Sequence, residues 1–420
     1  MVNTRLTGMR LARSAEAWSA LWAASGAAGL SGRRDGPPLD VPLALVRTAS
    51  EAAATINRHA AQYGIELEVD GPAILAERAA IAGFVRSGTT SCGGGTRLLQ
   101  ASGGWMAVSL ARDADVGSLP AWLGSDEAAL TADDPEVVWS AVERLVPQHQ
   151  RGELVERAVL LGMPVASLGE VSRQSSGGGD GESIGTAEPV RSLAGRVVLD
   201  LSSLWAGPLC AQLLGSAGMR VIKVESEHRP DGARNGPHAF FDLLHGGQES
   251  VALDLRRPDE QRVLADLLTK ADVVIEGSRP RALRQLGITA PPAGTQVWVS
   301  ITGHGRSGDA GHRVGFGDDA AVAAGLVTGE PDDPCFCVDA VADPLTGLTA
   351  AALVLDRLLA GGRWMLDVSL SATAAKAARG PSTTIAGYDI APARARVASS
   401  AAPSLGQHTS SVLGEFDVAR

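Results

Sequence analysis

The residue whose setting most suggests chemistry is Asp343, in the run Val341-Ala342-Asp343-Pro344-Leu345-Thr346-Gly347. It follows an apolar, strand-like stretch and precedes an Ala- and Leu-rich helix, so it stands at a strand-to-helix junction. A carboxylate there has two uses. It can cap the helix, whose N-terminus favours anions, or it can face a cleft as a nucleophile or acid/base group. Gly93, Gly94 and Gly95 form a second candidate, between a predicted helix and a predicted strand. Consecutive glycines permit positive φ and close backbone approach. They serve either as a plain turn or as a row of N–H donors over a ligand. Cys335 and Cys337 lack the second ligand pair of a zinc site, and their thiols read as small core hydrophobes. His304, His312 and His408 are isolated and read as surface residues. No GxGxxG, GxxxxGK[ST] or GxSxG opens a helix directly after a predicted strand.

The elements that must position these residues are clearest in the C-terminal part. GRVVLDLS (195–202), MRVIKVE (219–225), SVALDL (250–255), DVVIEG (272–277) and QVWVSI (296–301) read as strands. Between them, 207–218 and 258–271 read as helices, each with a proline near its start. Strands and helices alternating at this spacing predict a doubly wound, mostly parallel sheet, which binds ligands beyond the carboxyl ends of its strands. In the N-terminal part, 14–30, 50–64 and 71–86 read as helices and 103–110 as a strand, followed by two helices around 134–146 and 151–163. The fold class is therefore α/β: a Rossmann-like large domain over 190–420 and a smaller α+β domain over 1–172. A Gly- and Ser-rich linker at 173–189 joins them.

Composition narrows the function. The 420 residues carry a formal net charge of −10 and no run of five or more like charges, which argues against a nucleic-acid partner. No stretch approaches the ~20 apolar residues of a membrane span, and the start lacks the apolar core of a secretory signal. Four scattered cysteines fit a reduced, cytoplasmic setting. An internal echo relates 25–54 to 324–352. Gly32, Asp35 and Pro37 match Gly329, Asp332 and Pro334 at one offset of 297, and Val46 falls where Asp343 stands. Recurrent Ala, Gly, Asp and Pro can produce such echoes without common descent.

Five blocks together resemble the class III CoA-transferases, the CaiB/BaiF group, which includes 2-methylacyl-CoA racemases. They are VVLDLSSLWAGPLCAQLLGSAGMRVIKVE (197–225), SVALDLRRPDE (250–260), ADVVIEGSRPRALRQLGI (271–288), the pair VTGEPDDP and ADPLTGLTAA within 327–351, and APSLGQHTSSVLGE (402–415). SCGGGTRLLQASGGWMAVSL (91–110) and RGELVERAVLLGMPVASLGE (151–170) are similar to the family's smaller domain, which here precedes the large one. Segment 25–54 resembles a first catalytic block without its Asp.

The resemblance implies that Asp343 is the nucleophile of an acyl-CoA:carboxylate CoA-transferase, working through an aspartyl-CoA thioester. It implies that Gly93–Gly95 close over the reaction and that CoA lies across Leu204, Trp205 and Ala206. Arg229, Arg279 and Arg284 are candidates for the CoA phosphates, since Arg binds phosphate bidentately. Coenzyme A or acyl-CoA is then a substrate and not a resident cofactor. A carboxylic acid is the acceptor, no metal is needed, and the partner is a second copy in an interlocked homodimer. The alternatives are a racemase or epimerase on the same fold, and a non-catalytic CoA-binding homologue. Phe316 stands where racemases carry His, and Gly277, Ser278 and Gln285 depart from the family's pattern.

Overall fold

The computed structural model describes residues 14–171, 181–277, 280–288 and 291–418. Strands β1 (Thr96–Ala101), β2 (Gly104–Ser109) and β3 (Val165–Ser167) form a small antiparallel sheet. A seven-stranded sheet contains β4 (Glu182–Gly185), β5 (Val197–Leu201), β6 (Arg220–Ser226), β7 (Glu249–Leu253), β8 (Val273–Glu276) and β9 (Val297–Thr302). Strands β10 (Val327–Glu330) and β11 (Asp333–Phe336) pair as a hairpin, and β12 (Arg363–Ser369) returns to the large sheet. The large sheet runs in the order β4-β12-β9-β8-β5-β6-β7. All its pairings are parallel except β4 with β12.

The buried strands Val-Val-Leu-Asp-Leu and Val-Val-Ile-Glu explain this architecture, because a parallel sheet is covered on both faces. Their side chains alternate as the pleat requires. Val197 and Leu199 pack with Val263, Leu267 and Val412 on one face. Val198 and Ile275 pack with Leu209, Leu345 and Leu348 on the other. Successive connections run from β5 through β6 to β7, and the chain then returns to lay β8, β9 and β12 on the opposite side of β5. The order therefore reverses at β5 and β8, and sheets of this kind bind ligands in the crevice beyond the carboxyl ends at such a switch point.

Helices Ala206–Ser216 and Ala342–Ala360 pack against each other under that crevice. Gly347 allows the contact. A Cβ there would stand 2.6 Å from the Ala206 carbonyl oxygen and 3.0 Å from Leu209 Cβ.

The N-terminal part differs from the sequence expectation. Residues 14–30 form a helix, Ala15–Ala24, and a separate 3-10 turn, Ala27–Leu30. The second helix is longer than expected, Leu43–Gln62, and 71–86 holds two short helices, Gly71–Ile74 and Glu77–Ala82. The expected boundary at 172 does not divide the core. Trp22, Leu45, Val46, Ile56 and Ile74 belong to the same apolar cluster as Leu345, Leu348 and Val368. Leu43–Gln62 packs along Ala342–Ala360, and Ala15–Ala24 and Gly71–Ile74 pack in turn on Leu43–Gln62, having no sheet of their own. A separate cluster, from Leu99 to Val165, underlies the small sheet. The expected linker is also shorter: its first residues lie outside the described ones, but Glu182–Gly185 pairs with β12 as an edge strand.

The echoed segments meet physically. Leu43–Gln62 packs along Ala342–Ala360, and His59 Nε2 lies 2.5 Å from Asp356 Oδ1, a pair separated by the same 297 positions. A C-terminal arm then ties the N-terminal helices to the sheet. Ile385 N–H bonds Asp40, Arg396 pairs with buried Glu77, and His408 N–H donates to the Ser250 carbonyl in β7.

The close helix contact yields a prediction. Gly347→Ala forces the helices apart and is expected to cost about 1–3 kcal/mol, measured as a lowered urea midpoint with unchanged slope.

Candidate active site

Asp343 lies in the first turn of Ala342–Ala360. Three residues earlier the backbone is strained: Val338 has φ 62° and Ala340 φ 42°. Positive φ is uncommon without glycine and a genuine outlier for a β-branched residue, at a cost of about 1–3 kcal/mol each. Ties from distant parts of the chain hold this turn. Ser31 Oγ accepts from Val338 N–H at 3.1 Å, and the Cys92 thiol faces the Val338 carbonyl at 3.5 Å. Arg78 grips Asp339 with Nε and Nη2 at 2.8 and 2.6 Å. Asp318 accepts the Ala340 N–H at 3.0 Å.

The nucleophile candidate sits among other carboxylates. Burial pushes the Asp343 carboxyl up to about 7; Arg78 and the Gly317 N–H oppose this, while Asp318 and Asp339 add to it. Burial likewise raises Asp318, to about 6, and raises Asp319 further. Arg78 answers them. Burial works against its charge, but Asp339, and more remotely Asp318 and Asp343, keep it protonated. Its guanidinium also lies 5.0 Å from the Trp205 ring and 5.8 Å from that of Phe84, within cation–π range. Gly317 must lack a side chain, since a Cβ would stand 2.5 Å from Asp343 Oδ2.

The glycine run reaches this centre within one chain. A Cβ on Gly93 would stand 3.6 Å from Arg78 Nη2, whereas Gly94 and Gly95 face open space. The Gly94 N–H donates to the Ser91 carbonyl inside the turn, so it is not free for a ligand. The N–H groups of Gly93 and Gly95 have no such partner among the described residues.

The expected CoA residues divide. Leu204, Trp205 and Ala206 follow β5 at the crevice, but only Leu204 is exposed. Trp205 is 2% exposed, stacked edge-on to Phe240 at 5.3 Å and covered by Arg78. Leu204 itself has φ 72°, and its N–H donates to Asp231 Oδ1 at 2.9 Å. Arg229, just beyond β6, and Arg284, on the helix Pro280–Gln285, are both exposed. Arg279 lies outside the described residues.

Beneath the turn stands a residue that sequence reasoning passed over. Lys223 is 1% exposed and bonds Asp231 at 3.0 Å, Asp200 at 3.7 Å and the Ser202 carbonyl at 2.9 Å. Burial opposes its charge, but Asp200 and Asp231 raise its pKa overall. A lysine among Val and Ile in a strand was the available signal. Arg78 gave none, because its partner lies 261 residues away.

The thiols and the histidines also find their places. Cys335 and Cys337 are buried free thiols, and burial raises Cys337 to about 12. His312 is exposed. His304 is not a surface residue: burial, then Arg313, lowers its ring to about 3. Nor is His408 free, since its Nδ1 accepts from Ser250 N–H. Among the described residues no cluster of His, Cys, Asp and Glu could hold a metal, and no helix is long and apolar enough to cross a membrane.

A stability test follows from the buried carboxyl. The folded pKa of Asp343 is near 7 and an unfolded aspartate's is about 3.9. Its penalty is therefore absent below about pH 4, grows between the two values and is complete above 7. Asp343→Asn is expected to melt higher than wild type at pH 8 and equally at pH 4, by calorimetry.

Residues 193–379 match CoA-transferase family III. An acyl-CoA transferase of Fusarium pseudograminearum (strain CS3096) is 29% identical over 194 residues, covering 41% of this chain and 42% of that protein. The succinyl-CoA:glutarate CoA-transferase of Mus musculus is 31% identical over 189 residues, covering 41% and 43%. A CAIB/BAIF family protein from Brucella suis aligns with 29% identity over 45% of this chain and 55% of its own, at a TM-score of 0.39. The chain spans about half the length of the relatives it matches. The stretch 193–379, under half of the chain, carries β5 to β12 and Asp343, and it is this stretch that is similar to CoA-transferase family III.

Proposed function

We propose that the protein is an acyl-CoA:carboxylate CoA-transferase acting through a covalent aspartyl-CoA thioester on Asp343. The observation that carries this reading is the setting of Asp343: a carboxylate at a strained strand-to-helix turn, near the partly buried Arg78, which the turn at Gly93 also approaches. The named transferases among its relatives support the same reaction class.

In this reading an Asp343 oxygen attacks the thioester carbonyl of the donor. The C–S bond breaks, leaving a mixed anhydride and the CoA thiolate. The thiolate attacks the aspartyl carbonyl, the donor acid departs as carboxylate, and aspartyl-CoA remains. The acceptor carboxylate then attacks aspartyl-CoA, and the released thiolate takes the acceptor acyl group, restoring Asp343. Covalent catalysis keeps the thioester energy, provided water is excluded. Arg78 supplies positive potential for the oxyanions, with the free N–H groups of Gly93 and Gly95 as further donors. The crevice at Leu204 would take CoA, with Arg229 and Arg284 at its exposed margin. A homodimer is part of this proposal.

Racemisation requires a second acid/base group. Phe316 offers none, and Asp318 is engaged by Ala340 N–H and Ser91.

The test is intact and peptide mass after incubation with a panel of acyl-CoAs and quenching with hydroxylamine or borohydride. A modification on Asp343, absent from Asp343→Ala, is expected. Because the attacking form is the carboxylate, adduct formation should rise with pH through about 7 and level off above it. Deuterium uptake at the acyl α-carbon without an adduct would replace this reading with racemisation. CoA binding with neither would make the protein a non-catalytic homologue.

A further inference from the structure

We infer that Arg78, from the N-terminal region outside the family match, is the positioning residue of Asp343: its two-pronged grip on Asp339 holds the strained 338–340 turn that presents the nucleophile. This inference rests on Asp343 being the reacting group.

Four observations support it. The grip is bidentate, at 2.8 and 2.6 Å, on a carboxylate that is fully enclosed. Planar fork-to-carboxylate pairing fixes orientation as well as distance, which a lysine cannot do. Asp339 lies between the two residues with unfavourable positive φ, so the ion pair acts where the backbone would otherwise relax. Arg78 is itself immobilised. It packs against Trp205, the first residue of the crevice turn to be buried, and against Phe84. The preceding residue, Glu77, is 2% exposed and clamped by Arg396 of the C-terminal arm through Nε at 2.6 Å and Nη2 at 2.9 Å. One arginine thus connects the crevice turn, the nucleophile turn and the glycine turn at Gly93.

The N-terminal region would then be part of the reaction centre and not an appended domain. Ser31 and Cys92, which also hold Val338, belong to the same region. A turn built by residues so far apart explains how the chain can place this region ahead of the matched segment and still assemble one site.

The test uses the full chain and three variants. Arg78→Lys keeps the charge and loses the fork. Arg78→Met loses both. Arg78→Lys with Ala340→Gly removes part of the strain that the fork opposes. Two readouts are taken: the trapped Asp343 adduct, and labelling of the Asp343 carboxyl by a water-soluble carbodiimide and an amine across pH, which needs no turnover. Circular dichroism selects the variants that fold.

Arg78→Lys is expected to lower the adduct rate at least tenfold, with KM for acyl-CoA changed less than threefold and the labelling midpoint near that of wild type. In Arg78→Met the labelling midpoint should move to higher pH, since a cation has left the carboxyl. Ala340→Gly should restore Arg78→Lys at least threefold. An Arg78→Lys rate within twofold of wild type, or no rescue by Ala340→Gly, overturns the inference. If wild type forms no adduct but the labelling midpoint still shifts in Arg78→Met, the transfer reading fails while the placement of Arg78 beside Asp343 stands.

Discussion

Burying several carboxylates around one arginine is the constraint on which the rest of this structure depends. Asp318, Asp319, Asp339 and Asp343 are all buried close to one another, and desolvation drives Asp318, Asp319 and Asp343 toward their neutral forms. The fold separates their roles by their partners. Asp339 takes the Arg78 fork, Asp318 takes the Ala340 and Ser91 donors, and Asp319 takes the Phe316 N–H. Asp343 is left with one backbone donor and the field of a cation already paired elsewhere. Burial therefore leaves its carboxyl with a pKa near 7, which suits the nucleophile role proposed for it.

The crevice obeys the same economy. Lys223 is held charged by Asp200 and Asp231, and Asp231 in turn draws the Leu204 N–H into a left-handed bend. Strain thus appears on both walls of the site, at Leu204 and at Val338 and Ala340. In each case a buried ion pair sits beside it. A buried pair is weak evidence for stability; here its consequence is geometric, because it fixes a backbone that would otherwise adopt commoner angles. Arg78, resting on Trp205 and gripping Asp339, joins the two walls.

The order of regions along the chain matters less than where they pack. Helices before residue 86 have no sheet of their own and join the large apolar core, Leu43–Gln62 directly along Ala342–Ala360, while the small sheet keeps its own core. The C-terminal arm crosses from Asp40 and Glu77 to β7, so the first and last parts of the chain brace each other. Long-range closure of this kind costs chain entropy that grows only slowly with loop length.

Much of this was legible in the residues. Val-rich runs at regular spacing announced a parallel sheet, because a strand buried on both faces is apolar throughout. The junction at Asp343 was legible because Asp-Pro stands between an apolar run and an Ala-rich helix, and the turn at 93–95 because the positive φ of Gly94 favours glycine. Packing and charge pairing were not. That Arg78 covers Trp205, that residues 14–86 join the large core and that Arg78 meets Asp339 all depend on contacts between segments more than a hundred residues apart. Local sequence determines which backbone states and faces are favourable; only the tertiary structure decided which charges share a low-dielectric space, because Coulomb energy and desolvation depend on distance through space and not along the chain.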